Sequence, residues 1–178
     1  ASAGNTITNN LIAGNTGHGI YLGAASNQNI ISNNTCTSSS SGIYIVSSNT
    51  NTLSNNYSYN NTNYGYYFYA SNQNIVINNV SSNNSQSGFY ILSSNTNTLQ
   101  FNISSNNKST NGYGFYLSNS SNNYLAQNTS DSNQMYGFYL TGNCSSDTFW
   151  KNNWSGSPTN PDSALYNNIS NTFSFLNN

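Results

Sequence analysis

A phrase of four residues recurs along this 178-residue chain at a nearly constant interval. Glycine, an apolar residue, tyrosine and a second apolar residue begin at Gly19, Gly42, Gly65, Gly88, Gly114 and Gly137, in steps of 23, 23, 23, 26 and 23 residues. A degenerate copy, Ala164-Leu165-Tyr166, follows. A second phrase, Asn-x-apolar, keeps the same phase and places Ile7, Ile31, Leu53, Val76, Leu99, Leu125, Phe149 and Phe173 at equivalent positions. One such unit cannot bury its apolar face alone. The period therefore predicts a solenoid in which each unit stacks on the last.

The residues inside the phrases give the local structure. In Gly88-Phe89-Tyr90-Ile91, strand alternation sends Phe89 and Ile91 to one face and Tyr90 to the other. The same pattern turns Ile20/Leu22, Ile43/Ile45, Tyr66/Phe68, Phe115/Leu117 and Phe138/Leu140 inward. It leaves Tyr21, Tyr44, Tyr67, Tyr90, Tyr116, Tyr139 and Tyr166 as an exposed stripe, a candidate interaction surface. A third apolar spot follows the Asn phrase at Leu11, Tyr57, Val80 and Ile103. Each period thus holds three short strands separated by Asn/Ser/Gly turns, and helical spacing is absent.

Strands without hairpin turns between them predict an all-β fold: a single-stranded parallel β-helix of about seven coils, one domain over residues 1–178. Asn10, Asn34, Asn56, Asn79, Asn102, Asn128 and Asn152 close the second strand. They are read as an inward ladder, because the amide carries donors and an acceptor and Asn tolerates a left-handed turn. The repeated glycine fits a tight corner or a positive φ.

The phrases Gly-Ile-Tyr-Leu and Asn-Thr-Ile-Thr-Asn-Asn resemble the right-handed parallel β-helix repeat family over nearly the whole chain. That family includes pectate lyases, polygalacturonases and NosD-like periplasmic copper-binding proteins. The Asn/Ser-rich tone is most similar to β-helix repeats of cell-surface proteins. The resemblance implies a right-handed coil, as does the general preference for right-handed crossovers. Fold does not fix function.

Composition narrows the function. Lys108, Lys151, Asp131, Asp147 and Asp162 are the only Lys, Arg, Asp or Glu residues, the net charge is −1, and Asn occurs 41 times. Such a polar, Asn/Ser/Tyr-rich chain suits a disordered, aggregation-prone segment. Disorder, however, does not need Gly, Tyr and Leu/Ile/Phe in constant phase. Neither sign of charge is in excess, so there is no footprint for nucleic acid, and no apolar run is long enough for membrane insertion. The chain opens at Ala1 without a signal peptide, as a processed mature form would.

Catalysis is not expected. Gly17-His18-Gly19 resembles the Gly-His-Gly of polygalacturonases, but no Asp pair accompanies it. Glycoside hydrolysis needs two carboxyl groups within about 5–10 Å, whereas Asp131, Asp147 and Asp162 fall in different coils and phases. A calcium-dependent lyase, as the resemblance suggests, needs clustered carboxylates. A copper role needs clustered His, Met or Cys, and His18, Met135, Cys36 and Cys144 are dispersed. No metal or cofactor is expected. Cys36 and Cys144 lie four coils apart, about 19 Å at the strand spacing, too far for an internal disulfide. Inert thiols and an intermolecular disulfide both fit.

Sequons at Asn33, Asn60, Asn83, Asn107, Asn119, Asn143 and Asn168 fall in turns and are candidate glycosylation sites. Both ends of the chain stop inside the repeat without a polar cap, and open strand edges recruit other chains. The first expectation is therefore an extracellular or cell-surface structural subunit that stacks head to tail into a fibre, sheath or surface layer. Its partner would be itself, with possible glycans. The alternative is a surface adhesion or carbohydrate-binding module that uses the tyrosine stripe.

Overall fold

The computed structural model describes residues 2–154 and the backbone of 165–167 and 173–176. The described residues form short strands and no helix. The first coil contributes Thr6–Thr8, Leu11–Ala13 and Ile20–Leu22, and the coils that follow repeat that order. The strands assemble into one eight-stranded and two seven-stranded parallel sheets, the walls of a three-sided solenoid. Register follows the predicted phase: Ile7 stands opposite Ile31, Leu53 opposite Val76 and Leu99 opposite Leu125 in the first sheet. The last strand departs from it. Phe149 pairs with Phe175, and Phe173 pairs with Asp147, two residues out of the expected phase.

The core sits between the first and third sheets. Ile31, Leu53, Val76, Leu99, Leu125 and Phe149 face the inward pairs of the third sheet, from Ile20/Leu22 to Phe138/Leu140. Inside the third sheet Tyr66, Phe89, Phe115 and Phe138 stack at 4.6, 4.8 and 4.9 Å between ring centroids. The Tyr66 hydroxyl is buried but donates to the Asn56 carbonyl at 2.8 Å. The second sheet carries the third apolar spot on its outside. Leu11, Tyr57 and Ile103 are exposed, and the residues after them point inward: Ile12, Cys36, Ser58, Ser81, Ser104 and Ser130. The apolar spot is thus an outer row, and the wall beneath it is mostly serine.

Those serines explain the repeated glycine. Ser58, Ser81, Ser104 and Ser130 donate from Oγ to the carbonyls of Gly65, Gly88, Gly114 and Gly137 at 2.9–3.1 Å. A Cβ on Gly65 would collide with Ser81 Oγ and the Gly88 carbonyl. Close approach, not positive φ, requires glycine here; none of the six phrase glycines has a positive φ.

Asn ladders tie the coils together. Asn79 Oδ1 accepts from both Asn56 N and Asn56 Nδ2, at 2.9 and 3.0 Å, and Asn79 in turn donates both groups to Asn102 Oδ1. The expected ladder runs from Asn10 through Asn34, Asn56, Asn79, Asn102 and Asn128 to Asn152. Its members are buried except Asn10, in the first coil. The left-handed backbone belongs to the preceding residue in each case: Asn9, Asn33, Asn55, Asn78, Phe101, Gln127 and Lys151. A second Asn ladder, from Asn5 to Asn123, ends on Asp147. A third links Asn61, Asn84, Asn107 and Asn133. A serine ladder, Ser26 to Ser120, runs beside the second Asn ladder in the turn from the third sheet to the first.

Cys36 and Cys144 are free and fully buried, and burial pushes the Cys36 thiol up to about 12. A disulfide between molecules would require these buried sulfurs to reach the surface. The inert-thiol reading fits the fold.

Removing one rung tests the ladder. Asn79→Ala strips Asn56 of the acceptor for two buried donors, each costing about 1–3 kcal/mol when unmet. A loss of several kcal/mol in urea unfolding is expected, against a small change for Ala at an exposed position such as Asn143. Asp147 supplies the second test. Its Oδ1 accepts from Asn123 N at 2.7 Å, while Oδ2 is buried without a partner. Burial pushes its carboxyl from 3.8 up to about 6. The folded state then holds the proton more tightly, so stability falls as pH rises from 3.8 to about 6 and stays lower above that. A shift of this size corresponds to about 3 kcal/mol. Asp147→Asn is expected to raise Tm above pH 6 and to change it little below pH 3.8. Equal effects on Tm at both ends would refute the pH coupling.

Candidate functional site

The outward tyrosines of the third sheet form a continuous rank. The register that stacks the core also sets Tyr44 opposite Tyr67, Tyr67 opposite Tyr90, and Tyr90 opposite Tyr116. Their centroids stand 4.6, 5.0 and 4.4 Å apart, with interplanar angles of 7°, 5° and 11°. The strand spacing matches the thickness of stacked rings, so parallel pairing in register is enough to build the column. Tyr21 is exposed at 56%, and the rings from Tyr44 to Tyr139 are half-buried. Tyr166 pairs through its backbone with Tyr139; its side chain lies outside the described residues.

A second aromatic layer, unforeseen from the strand pattern, covers this rank. It comes from the residue before each corner glycine: His18, Ser41, Tyr64, Ser87, Tyr113 and Tyr136. His18 lies 4.7 Å from Tyr44 at 67°. Tyr64 leans on Tyr67 and Tyr90, 5.1 and 5.0 Å away at about 45°. Tyr113 meets Tyr116 edge-on at 64° and stacks on Tyr139 at 4.4 Å. Tyr136 stacks on Tyr139 as well, at 5.7 Å.

At Ser87 this second layer carries no ring. Between Tyr64 and Tyr113 it leaves a groove of about 340 Å³, lined by Tyr64, Gln86, Ser87, Tyr90, Asn111, Tyr113, Tyr116 and Tyr139. One wall is the coil that takes 26 residues between glycines; its extra residues make a turn at 109–112. Ser87 Oγ donates to the Asn111 carbonyl at 2.8 Å and fastens that turn to the groove floor. Gln86 Nε2 donates to Asn63 Oδ1 at 3.0 Å. The lining carries hydroxyls, amides and aromatic rings but no charged group. Burial, with neighbouring phenols, raises Tyr64 and Tyr90 above the ordinary tyrosine value and Tyr67 to about 12. At neutral pH these phenols are hydrogen-bond donors.

The dispersed candidates stay dispersed. His18 packs on Tyr21 and Tyr44 in the first coil. Asp131 is on the second sheet, where its Oδ1 accepts from Ser132, and Asp147 is inside the solenoid. Asp162 lies outside the described residues. Among the described residues no group of three or more His, Cys, Asp or Glu is placed to hold a metal. No helix among them is long and apolar enough to cross a membrane. Of the sequons, Asn33, Asn60, Asn119 and Asn143 are exposed and Asn83 is half-buried. Asn107 is not a turn acceptor: it is a buried rung, with Nδ2 donating to Asn133 Oδ1 at 2.7 Å. Asn168 lies outside the described residues.

Residues 1–156 match the family described as right handed beta helix region. No curated protein sequence matches this one. Among solved structures the fold is similar to a single-substitution mutant of the periplasmic alginate epimerase AlgG. The TM-score is 0.77 at 21% identity, covering 96% of this chain and 45% of that one. It is also similar to the DFA-IIIase from Arthrobacter chlorophenolicus A6 without its lid, with a TM-score of 0.67 at 14% identity over 97% of this chain and 52% of that one. The protein thus spans about half the length of these structures. At such identities the likeness is one of fold.

The rank has a measurable signature. Alkaline spectrophotometric titration is expected to leave Tyr67 and Tyr90 protonated through pH 10, the ordinary tyrosine value. Tyr90→Phe should remove one late-titrating phenol. A single transition near pH 10 for every tyrosine would contradict the stacked arrangement.

Proposed function

The chain belongs to the right-handed β-helix family, and we propose that its tyrosine face binds an uncharged saccharide polymer lying along the solenoid axis. The observation that carries this proposal is the groove at Ser87, bounded by tilted tyrosine rings and bordered by two amides. A sugar ring presents C–H faces and a rim of hydroxyls. The first suit aromatic surfaces, and the second suit phenols and amides. A concave, mostly aromatic site with a few polar groups is what a small ligand needs, and about 340 Å³ lies within the usual range. The stacked rank extends the surface beyond the groove, as a polymer would require.

One similar fold belongs to an enzyme named for alginate, a polysaccharide. Alginate is an acidic polymer, whereas the groove carries no cationic group to pair with a carboxylate, so we assign it to neutral sugars. We propose binding without turnover: the groove supplies phenols, a hydroxyl and amides, and its phenols are held in their protonated form. We place this binding outside the cytoplasm, on the cell surface or in the extracellular space; the similar epimerase is named as periplasmic. Assembly into an end-to-end fibre is the second proposal, since no residue of the described surface favours it over binding.

Ser87→Tyr tests the groove. Tyr64 holds the equivalent position one coil earlier, so the fold accepts tyrosine there. The added ring would fill the gap while leaving the rank intact. Affinity electrophoresis through neutral β-glucan, mannan and starch gels is expected to retard the native protein on at least one of them. Ser87→Tyr should weaken that retention at least tenfold, about 1.4 kcal/mol. Retention by alginate alone, or full retention by Ser87→Tyr, would overturn the assignment.

A further inference from the structure

We propose that Asn111 is a site of spontaneous deamidation, which turns the uncharged rim of the groove acidic. The inference rests on the chemistry of one turn and is independent of the saccharide assignment. In the step proposed, the backbone nitrogen of Gly112 attacks Cγ of Asn111. The new N–Cγ bond forms as the bond from Cγ to Nδ2 breaks, and ammonia leaves with the proton from the Gly112 amide. Water then opens the resulting succinimide at either carbonyl, giving aspartate or isoaspartate. The only co-reactant is water.

Three conditions govern this attack: a following residue with no Cβ to hinder it, an amide free to leave its place, and access of water. Among the 41 Asn residues only Asn111 precedes glycine. Glycine is also structurally enforced there, since a Cβ at Gly112 would press on the Asn107 carbonyl at 2.5 Å. Asn111 is exposed, and its bonds run through its backbone: N donates to Ser109 Oγ at 3.1 Å, and O accepts from Ser87 Oγ and from Tyr113 N. The ladder asparagines are the opposite case. Asn79, for example, is buried, with Oδ1 accepting twice from Asn56 and Nδ2 donating to Asn102 Oδ1 and the Leu53 carbonyl. The attacking nitrogen is itself restrained: Gly112 is buried, and its N donates to the Ser109 carbonyl at 2.8 Å across a turn whose Thr110 and Asn111 are exposed.

The consequence is local. Asn111 lines the groove with Tyr113 and Tyr116, so the product places a carboxylate, or an isoaspartyl backbone kink, at its edge. The folded protein should be incubated at mildly alkaline pH, digested, and examined by mass spectrometry, with isoaspartate methyltransferase as an independent probe. The peptide spanning 109–113 is expected to gain the mass difference between NH2 and OH, and to divide into two isomers. The rate should rise with pH, because the attacking nitrogen reacts after losing its proton. Asn111→Gln should abolish both signals. An Asn111 that stays intact in the folded protein but reacts once denatured would overturn the proposal, by showing that the Ser109–Gly112 turn locks it. Faster modification at another exposed Asn, such as Asn143, would overturn it too.

Discussion

The structure depends on one repeated bond pair: a side-chain amide oxygen that accepts both the backbone N–H and the side-chain N–H of the equivalent Asn one coil earlier. At Asn34, Asn56 and Asn79 the pair measures between 2.9 and 3.1 Å. It does two things that hydrophobic burial cannot. It satisfies backbone groups where the chain turns a corner and leaves the sheet ladder, and it sets the coils in register. A buried amide with no partner is costly, so a slip of one residue would break every rung at once. The left-handed residue before each rung supplies the turn that aims the amide inward. The corners of the solenoid are therefore polar and closed, while the walls between them are apolar on two sides and serine-lined on the third.

Register imposed at the corners has a consequence on the surface. What stacks inside also stacks outside, so a tyrosine at one outward position becomes a column of tyrosines. A perfectly periodic column consumes its own ring faces and presents edges. Recognition needs an interruption, and at Ser87 two coincide. The residue before the corner glycine is serine at Ser87, between tyrosines at Tyr64 and Tyr113. The following coil is three residues longer than its neighbours. Together they open the concavity lined by Tyr64, Ser87, Tyr90 and Tyr113.

Much of this architecture is legible in the sequence. The solenoid, its three strands per coil, the inward partners of the third sheet and the first Asn ladder follow from phase alone, because phase is what stacking conserves. Which side of a strand faces inward is less legible when both sides carry plausible residues. In the second sheet the apolar Leu11, Tyr57 and Ile103 are exposed, while Ser58, Ser81 and Ser104 face inward. At these serines the inner side chain lies against a corner glycine, with Oγ bonded to the carbonyl of the next one, and only the fold reveals that proximity; Ile12 and Trp154 take the same row in the first and last described coils. Asn107 reads as a turn acceptor for a related reason. A sequon and a buried rung share the same letters, and the difference lies in whether the amide turns toward Asn133 or toward water. The groove is visible in the sequence as a 26-residue step, but its aromatic walls come from turn positions that strand alternation does not address.

The same logic accounts for the near absence of charge. A ladder position repeats in every coil, so an ionised side chain there would meet its neighbours within a few ångströms and in a dry interior, where charges are expensive to bury. Asp147 shows the cost at a single site: it keeps one ladder acceptor, and its second oxygen finds no donor. Asn differs from Asp by one donor and one charge, and that difference suits it to repeat indefinitely along an axis. The amide that makes the interior possible is also a labile group in water. It is stable in this fold where both of its ends are bonded and buried, and it becomes reactive in the one exposed turn where glycine follows it.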